Sequence, residues 1–257
     1  MNNKPLVSIV TPSFNQSQFL EGTIQSVLNQ DYSNLEYIVV DGRSTDGSLD
    51  IIKRYQEKLS TWISEPDHGQ SEAINKGFNL SQGKIMAWLN SDDLYKPTAV
   101  REAVEYLQAN PQIGMVYGDT EIIDENGKKI GKFNAQQASY QRLMRGGVYI
   151  PQPATFWRRE LWEQAGPLDT TLYFAMDYDL WIRFAKNANI AYLPKLWASF
   201  RMHGEGKTLS DDRCWPEMRK VHQREGGSVF SWFMGKYLLR MILGPIWNWI
   251  KRKSLKL

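Results

Sequence analysis

Hydrophobic and polar positions follow one another along this chain in blocks whose period switches between strand and helix. Leu6-Val7-Ser8-Ile9-Val10 is a short β-branched run that stops at Thr11-Pro12-Ser13-Phe14-Asn15. Pro12 cannot donate to a central ladder, so the pattern predicts a turn there. Phe19, Ile24, Val27 and Leu28 recur at helical spacing and predict a helix to about Gln30. Leu35 to Val40 predicts a second buried strand, Ser48 to Leu59 a helix, and Gly83 to Ala87 a further strand. Strand–helix–strand–helix order predicts right-handed crossovers and an α/β fold with a mixed, mostly parallel sheet flanked by helices.

The second half of the chain has a looser pattern. Val100, Val104 and Leu107 mark the inner face of a helix from Thr98 to Asn110, followed by a strand from Ile113 to Tyr117. Asp124-Glu125-Asn126-Gly127 carries the Asn-Gly pair typical of a tight turn, so Gly118 to Phe133 predicts a hairpin. Asp119 and Asp124 then read as hairpin residues rather than catalytic acids. The paired Gly146-Gly147 suits a mobile lid. A helix starts near Arg159, and another carries Leu180 and Phe184 on its apolar face. Strands follow at Ile190 to Pro194 and Ala198 to His203.

Charge divides the chain in two. The net charge is +3, yet from Ser228 onward there are six basic residues (Lys236, Arg240, Lys251, Arg252, Lys253 and Lys256) and no acidic one. The total of 31 Lys and Arg minus these six leaves 25 against 28 Asp and Glu, so the body is slightly acidic. A nucleic-acid binder carries its basic surface on the folded domain, which argues against a nucleic-acid partner. Trp232, Trp247 and Trp249 with Phe230, Phe233 and Leu238 interleave the tail's cations. Residues 1–227 therefore read as one α/β domain, and 228–257 as a basic amphipathic segment that lies on a membrane surface or, as the alternative, packs on the domain as a core helix. Lys236 and Arg240 inside its apolar run argue against spanning. Cys214 is the single cysteine, so no internal disulfide forms and a reducing compartment fits. Met1 to Pro5 lacks the apolar core of a signal peptide.

Candidate chemistry gathers where the apolar runs end. Trp88-Leu89-Asn90-Ser91-Asp92-Asp93 places two adjacent carboxylates at the end of a buried strand. Like charges side by side need a cation or hydrogen bonds. At a strand's carboxyl end they lie in the ligand crevice, where Mg²⁺ or Mn²⁺ would bridge them to a diphosphate. Asn15, Asp41, Ser44 and Asp46 are short polar residues at the first two strand ends. Helix capping accounts equally well for Ser44 and Asp46. Neither a Gly-x-Gly-x-x-Gly after the first strand nor a Gly-x-x-x-x-Gly-Lys-Ser/Thr motif occurs, which argues against a dinucleotide dehydrogenase and a P-loop NTPase.

Four segments in order, Val10 to Asn15, Val40 to Gly47, Glu65 to Gly77 and Asn90 to Asp93, resemble those of the family 2 glycosyltransferases, which have a GT-A fold. The resemblance spans about Pro5 to Ser210. It implies inverting transfer of a sugar from a UDP-, GDP- or dTDP-sugar to a hydroxyl of a glycan or lipid-linked glycan, with Mn²⁺ or Mg²⁺. It implies that Thr11, Pro12, Phe14, Asn15 and Asp41, with Ser44 beside them, hold the nucleoside. Gln70, Asn75 and Lys76 would approach the nucleotide and sugar, as would Asn90, Ser91 and Asp92. Ser91-Asp92-Asp93 resembles the D-x-D motif, with Asp93 as the direct metal ligand and Ser91 in place of the first acid. His203 would complete the metal shell, and Lys207 would meet a phosphate oxygen. Asp177 resembles the second acid of the family's Glu-Asp pair and becomes the general base, with Met176 where the Glu usually stands. Gln152, Asp179 and Trp181 are the acceptor-side candidates. Such an enzyme would work at the cytoplasmic face of a membrane, where nucleotide sugars are made. Two alternatives share parts of this pattern: a sugar-1-phosphate nucleotidyltransferase, and a catalytically inactive, membrane-docked nucleotide-sugar-binding protein. The first needs a Gly-rich basic loop after strand one, which Ser13 to Ser17 lacks.

Overall fold

The strand β1 (Val7–Ser13) is buried at every position, as a strand with neighbours on both edges and helices on both faces must be. It pairs in parallel with β2 (Leu35–Asp41) on one edge and β4 (Ile85–Trp88) on the other, and β3 (Thr61–Ser64) continues the parallel set beyond β2. This is a computed structural model, and it describes residues 4–204 and 211–242. The remaining strands are β5 (Leu94–Tyr95), β6 (Ile113–Ile123), β7 (Lys129–Lys132), β8 (Thr155–Arg158) and β9 (Asn189–Arg201). They complete a sheet of order β3-β2-β1-β4-β8-β6-β9-β5, with β7 paired to β6. Parallel pairing holds the long registers: seven residue pairs join β1 to β2 and nine join β6 to β9, against two or three in each antiparallel join.

Helices cover both faces. Val7 and Ile9 of β1 point to one side and Val10 to the other, as strand alternation requires. On the first side lie α1 (Ser17–Leu28), α2 (Ser48–Tyr55) and α4 (Ala99–Ala109), which bury Leu20, Ile24, Ile52, Val100 and Leu107. On the second lie α3 (Gln70–Leu80), α5 (Tyr140–Met144), α6 (Arg159–Ala165), α7 (Met176–Asn187) and α8 (Asp211–Arg224), which bury Ile74, Phe78, Leu143, Leu161, Leu180 and Met218. The α/β, GT-A-like arrangement predicted from the sequence is therefore the observed one.

Three local predictions change. β1 does not turn at Pro12 but runs through it to Ser13. Its ladder with β4 ends at Val10–Trp88, so one edge no longer needs the N–H that proline lacks. β6 and β9 are each continuous where the pattern predicted shorter pieces. Gly118 permits this, because a Cβ there would lie 2.6 Å from the Trp197 ring on β9. The predicted hairpin forms around Asp124–Gly127, and Asp119 is spent on Lys132 (2.9 Å) and the Tyr192 hydroxyl (2.7 Å).

The C-terminal segment is half body and half surface. Residues 232–242 are helical. Phe233 is fully buried against Trp215 and His222. It also closes over Gly146, where a Cβ would meet its ring at 2.6 Å. That glycine thus serves close packing, and its φ of 73° suits no other residue well. Phe230, Trp232, Leu238, Leu239 and Ile242 are exposed. No helix among the described residues is long and apolar enough to cross a membrane.

Candidate active site

The chain order reverses at β1, with β2 on one side and β4 on the other. A crevice opens outside the carboxyl ends of such strands, because the flanking connections diverge to opposite faces. Here it is a cleft of about 640 Å³, a size usual for small-molecule sites. Its walls come from the ends of β1, β3, β4 and β9 and from the loop before α7.

The loops after β1 and β2 are stitched together by short polar residues. Asp41 is fully buried and accepts from the Ser44 N–H (3.0 Å), the Ser44 hydroxyl (2.5 Å) and the Ser64 hydroxyl (2.7 Å). The Ser44 Oγ accepts the Asn15 N–H at 2.8 Å, and Asn15 Oδ1 accepts the Thr45 N–H at 2.9 Å. Asn15 sits at φ 51°, a left-handed conformation that Asn tolerates better than most residues. Burial opposes ionisation of Asp46, but hydrogen bonds from Ser48 and Ser17 outweigh it and lower its pKa to about 2. These contacts hold Phe14 out into the cleft, with 60% of its surface exposed. Gly42 leaves the room, since a Cβ there would lie 2.7 Å from Asp67 and 3.1 Å from the Phe14 ring.

Asn90 is the hub of the next wall. It accepts from Gln70 Nε2 at 2.7 Å and donates to Gln152 Oε1 at 3.1 Å, while Gln152 donates to the Trp88 carbonyl at 2.8 Å. The adjacent acids then part company. Asp93 faces inward, fully buried, and accepts the Arg201 N–H at 2.9 Å. Burial, and then the charge of Asp92, push its carboxyl well above the usual range. Asp92 faces the cleft, with His203 Nε2 2.9 Å from its Oδ2. Arg201 braces both residues: its Nε donates to the Asp92 carbonyl at 2.8 Å and its Nη1 reaches the carbonyls of Asp124 and Glu125. Asp93, the residue taken from the sequence as the direct metal ligand, is turned into the protein and does not line the cleft, whereas Asp92 does.

Eight of the residues predicted from sequence line the cleft: Pro12, Phe14, Asn15, Gln70, Asn90, Ser91, Asp92 and His203. Others are used elsewhere. Thr11 is buried against the Tyr37 hydroxyl (3.1 Å). Asp41, Ser44 and Gln152 support the wall rather than form it. Asn75 bonds both ways with Leu168, holding the loop before α7. Lys76 pairs with Glu65 and Glu72. Asp179 is wholly buried and ion-paired with Arg183 (2.9 Å) and Arg224. Trp181 is buried in the aromatic core, stacked on Trp88 at 5.5 Å. Neither Asp179 nor Trp181 lines the cleft. Asp177, in the first turn of α7, is half-buried and accepts the Tyr178 N–H at 2.7 Å. It is not among the residues that wall the cleft. Lys207 lies outside the described residues.

The cleft also holds residues that are not individual site candidates in the sequence: Ser13, Gln16, Asp67, Tyr173 and Arg201. Ser13 Oγ and Gln16 Oε1 are buried without a hydrogen-bond partner among the described residues. Buried polar atoms without partners are costly and mark places where a ligand's polar groups fit. Ser13, Gln16 and Asp67 lie inside or beside the four strand-end segments, so position alone could have found them. Tyr173 carries no local signal, while Arg201 lies two residues before His203 in the predicted strand Ala198 to His203. No cluster of three or more His, Cys, Asp or Glu suited to a metal occurs among the described residues. Asp92 and His203 still fit a divalent cation, because such ions at diphosphate sites take only one or two protein ligands and fill the rest from phosphate and water.

Known proteins share this fold and sequence pattern. An uncharacterized glycosyltransferase of Nostoc sp. is 27% identical over 93% of this chain and 77% of its own length. One of Rickettsia bellii is 29% identical over 90% of this chain but only 34% of its own. S. aureus TarS 1-349, solved with UDP, superposes with a TM-score of 0.67 at 18% identity, covering 84% of this chain and 64% of that one. The mannosyltransferase PcManGT of Pyrobaculum calidifontis, solved with GDP-Man and Mn²⁺, gives 0.66 at 20%, covering 88% and 65%. The chain thus spans just under two thirds of each solved protein. The profile described as glycosyl transferase family 2 matches residues 8–164, more than half of the sequence and all four strand-end segments. This chain belongs to glycosyltransferase family 2.

Proposed function

We propose that this chain transfers a sugar from a nucleoside-diphosphate sugar to a hydroxyl acceptor with inversion. One observation carries the reading. An exposed aromatic, Phe14, and an acid–imidazole pair, Asp92–His203, share one cleft at the carboxyl ends of the parallel strands. Phe14 offers a face for the base, while Asp67, Ser13 and Gln16 offer polar atoms to the nucleoside. Asp92 and His203 would hold Mn²⁺ or Mg²⁺, whose charge stabilises a departing diphosphate. The donor complexes of TarS and PcManGT, with UDP, UDP-GlcNAc and GDP-Man, support a donor of this class. Asp177 is the base in this reading. It takes the proton of the attacking hydroxyl from the side opposite the leaving group, which requires the start of α7 to approach the bound sugar. The acceptor is a glycan or lipid-linked glycan. The test is incubation with UDP-GlcNAc, UDP-glucose and GDP-mannose, with and without Mn²⁺, following nucleotide release and thermal stabilisation. Metal-dependent release from at least one donor is expected. A chain that neither binds nor consumes any nucleotide sugar overturns the reading.

We also propose peripheral docking on an anionic membrane, at the cytoplasmic face. Phe230, Trp232, Leu238, Leu239 and Ile242 supply apolar area, and Lys236 and Arg240 supply charge. The further cations of the tail lie outside the described residues. Co-sedimentation with anionic liposomes, weakened by salt, is the expected result. Equal indifference to anionic and neutral liposomes would remove the proposal. Because Phe233 is a core residue, a truncation at Gly227 would unfold part of the body. Trp232→Glu with Leu239→Glu is the cleaner variant.

A further inference from the structure

α8 lies outside all four strand-end segments, yet it holds the loop that leads into α7. The Glu217 carboxylate accepts three consecutive main-chain N–H groups: Tyr173 at 3.0 Å, Phe174 at 2.7 Å and Ala175 at 2.9 Å. These groups precede the first turn of α7, where helical N–H groups lack partners within the helix. Ala175 stands at the cap position and has no side chain to anchor the turn. A carboxylate some forty residues further along the chain instead fixes the cap residue and the two before it. Arg213 of α8 lies over the Phe174 ring at 5.3 Å. At its other end α8 grips the same unit, through Arg224 to Asp169 and Asp179. The loop so held carries Tyr173, which forms part of the cleft wall, and opens the helix whose first turn bears Asp177. Phe14, Asp92 and His203 come instead from the ends of β1, β4 and β9.

We propose that Glu217 is a positioning residue for the acceptor side of the reaction, setting Tyr173 and Asp177 against the cleft through its three hydrogen bonds. The inference rests on the glycosyl-transfer reading and adds a residue to it. The base takes its proton from whatever hydroxyl stands on that side, water included, so hydrolysis of the donor is the assay. Full-length wild type, Glu217→Gln and Glu217→Ala are compared with UDP-GlcNAc, UDP-glucose and GDP-mannose in Mn²⁺, well below the melting temperature of each. The readouts are kcat, donor Kd and amide exchange at residues 173–175. Glu217→Gln keeps the volume but turns an NH₂ toward a donor, so it loosens the loop without emptying the site. The expected result is a kcat about tenfold lower for Glu217→Gln and about 100-fold lower for Glu217→Ala, with donor Kd within twofold and faster exchange at 173–175. If Glu217→Ala does not fold, Glu217→Gln decides. Wild-type kcat in a folded variant overturns the inference alone, as does a kcat loss matched by an equal loss of donor affinity. A wild-type chain inert toward every nucleotide sugar overturns the underlying reading, and the inference with it.

Discussion

The two sides of the cleft are built in different ways. The side proposed for the donor is local: the ends of β1, β2 and β4 bring Phe14, Asn15 and Asp92 together from within the first 93 residues, on a parallel sheet that needs only its own crossovers. The rest of the cleft is assembled from afar. Arg201 reaches back to Asp92 and Asp93, His203 to Asp92, and Glu217 to residues 173–175. A site on a sheet edge tolerates a poor neighbour, because the strand register already fixes it. A loop in front of a helix has no register, and its place depends on a few charged contacts. Substitutions should therefore separate into those that remove chemistry from a rigid wall and those that let a wall move.

The largest effect is expected at the base. Asp177→Asn should leave donor Kd unchanged and lower kcat by about 10² to 10⁴-fold, the usual range for a lost general base. Unchanged kcat in steady-state hydrolysis would move the base to another residue. The next effect separates the paired acids. Asp92→Ala should cost about 10² to 10³-fold in metal-dependent turnover with little change in melting temperature. Asp93→Asn, replacing a buried carboxyl whose charged form is already disfavoured, should keep turnover within about tenfold and keep its Mn²⁺ dependence. The reverse pattern in a metal titration would return the metal-facing role to Asp93. A stability effect comes last. Asp179→Ala leaves Arg183 and Arg224 without their shared acid. Losing a buried partner costs about 3–5 kcal/mol, and the half-exposed Arg224 argues for the lower end. Denaturant unfolding measures it. A loss below about 1 kcal/mol would mean that the network is a surface feature, against its burial.

Part of this protein is legible in the chain alone. The apolar runs at Leu6 to Val10, Leu35 to Val40 and Gly83 to Ala87 set a parallel α/β sheet, because strands buried on both faces must be apolar throughout. The residues that end those runs have to lie at the carboxyl edge, so Pro12, Phe14, Asn15, Asn90 and Asp92 follow from position alone. β3 escapes the pattern because its four residues are only partly covered. Side-chain direction is not legible either. Asp92 and Asp93 are neighbours in sequence, and only the packing of Arg201 against one and His203 against the other separates inward from outward. Asp177 and Asp179 share a helix turn, but they differ by the angle that sends Asp179 to Arg183 and Arg224. Phe233 and Trp232 share a charged, aromatic segment, and only the space over Gly146 decides which is core. Local periodicity is carried by neighbouring residues, so the chain itself determined the elements and their order. Which carboxylate meets the cleft, and that Glu217 holds its far wall, depends on contacts between residues 40 to more than 100 positions apart, which only the folded arrangement brings within hydrogen-bond distance.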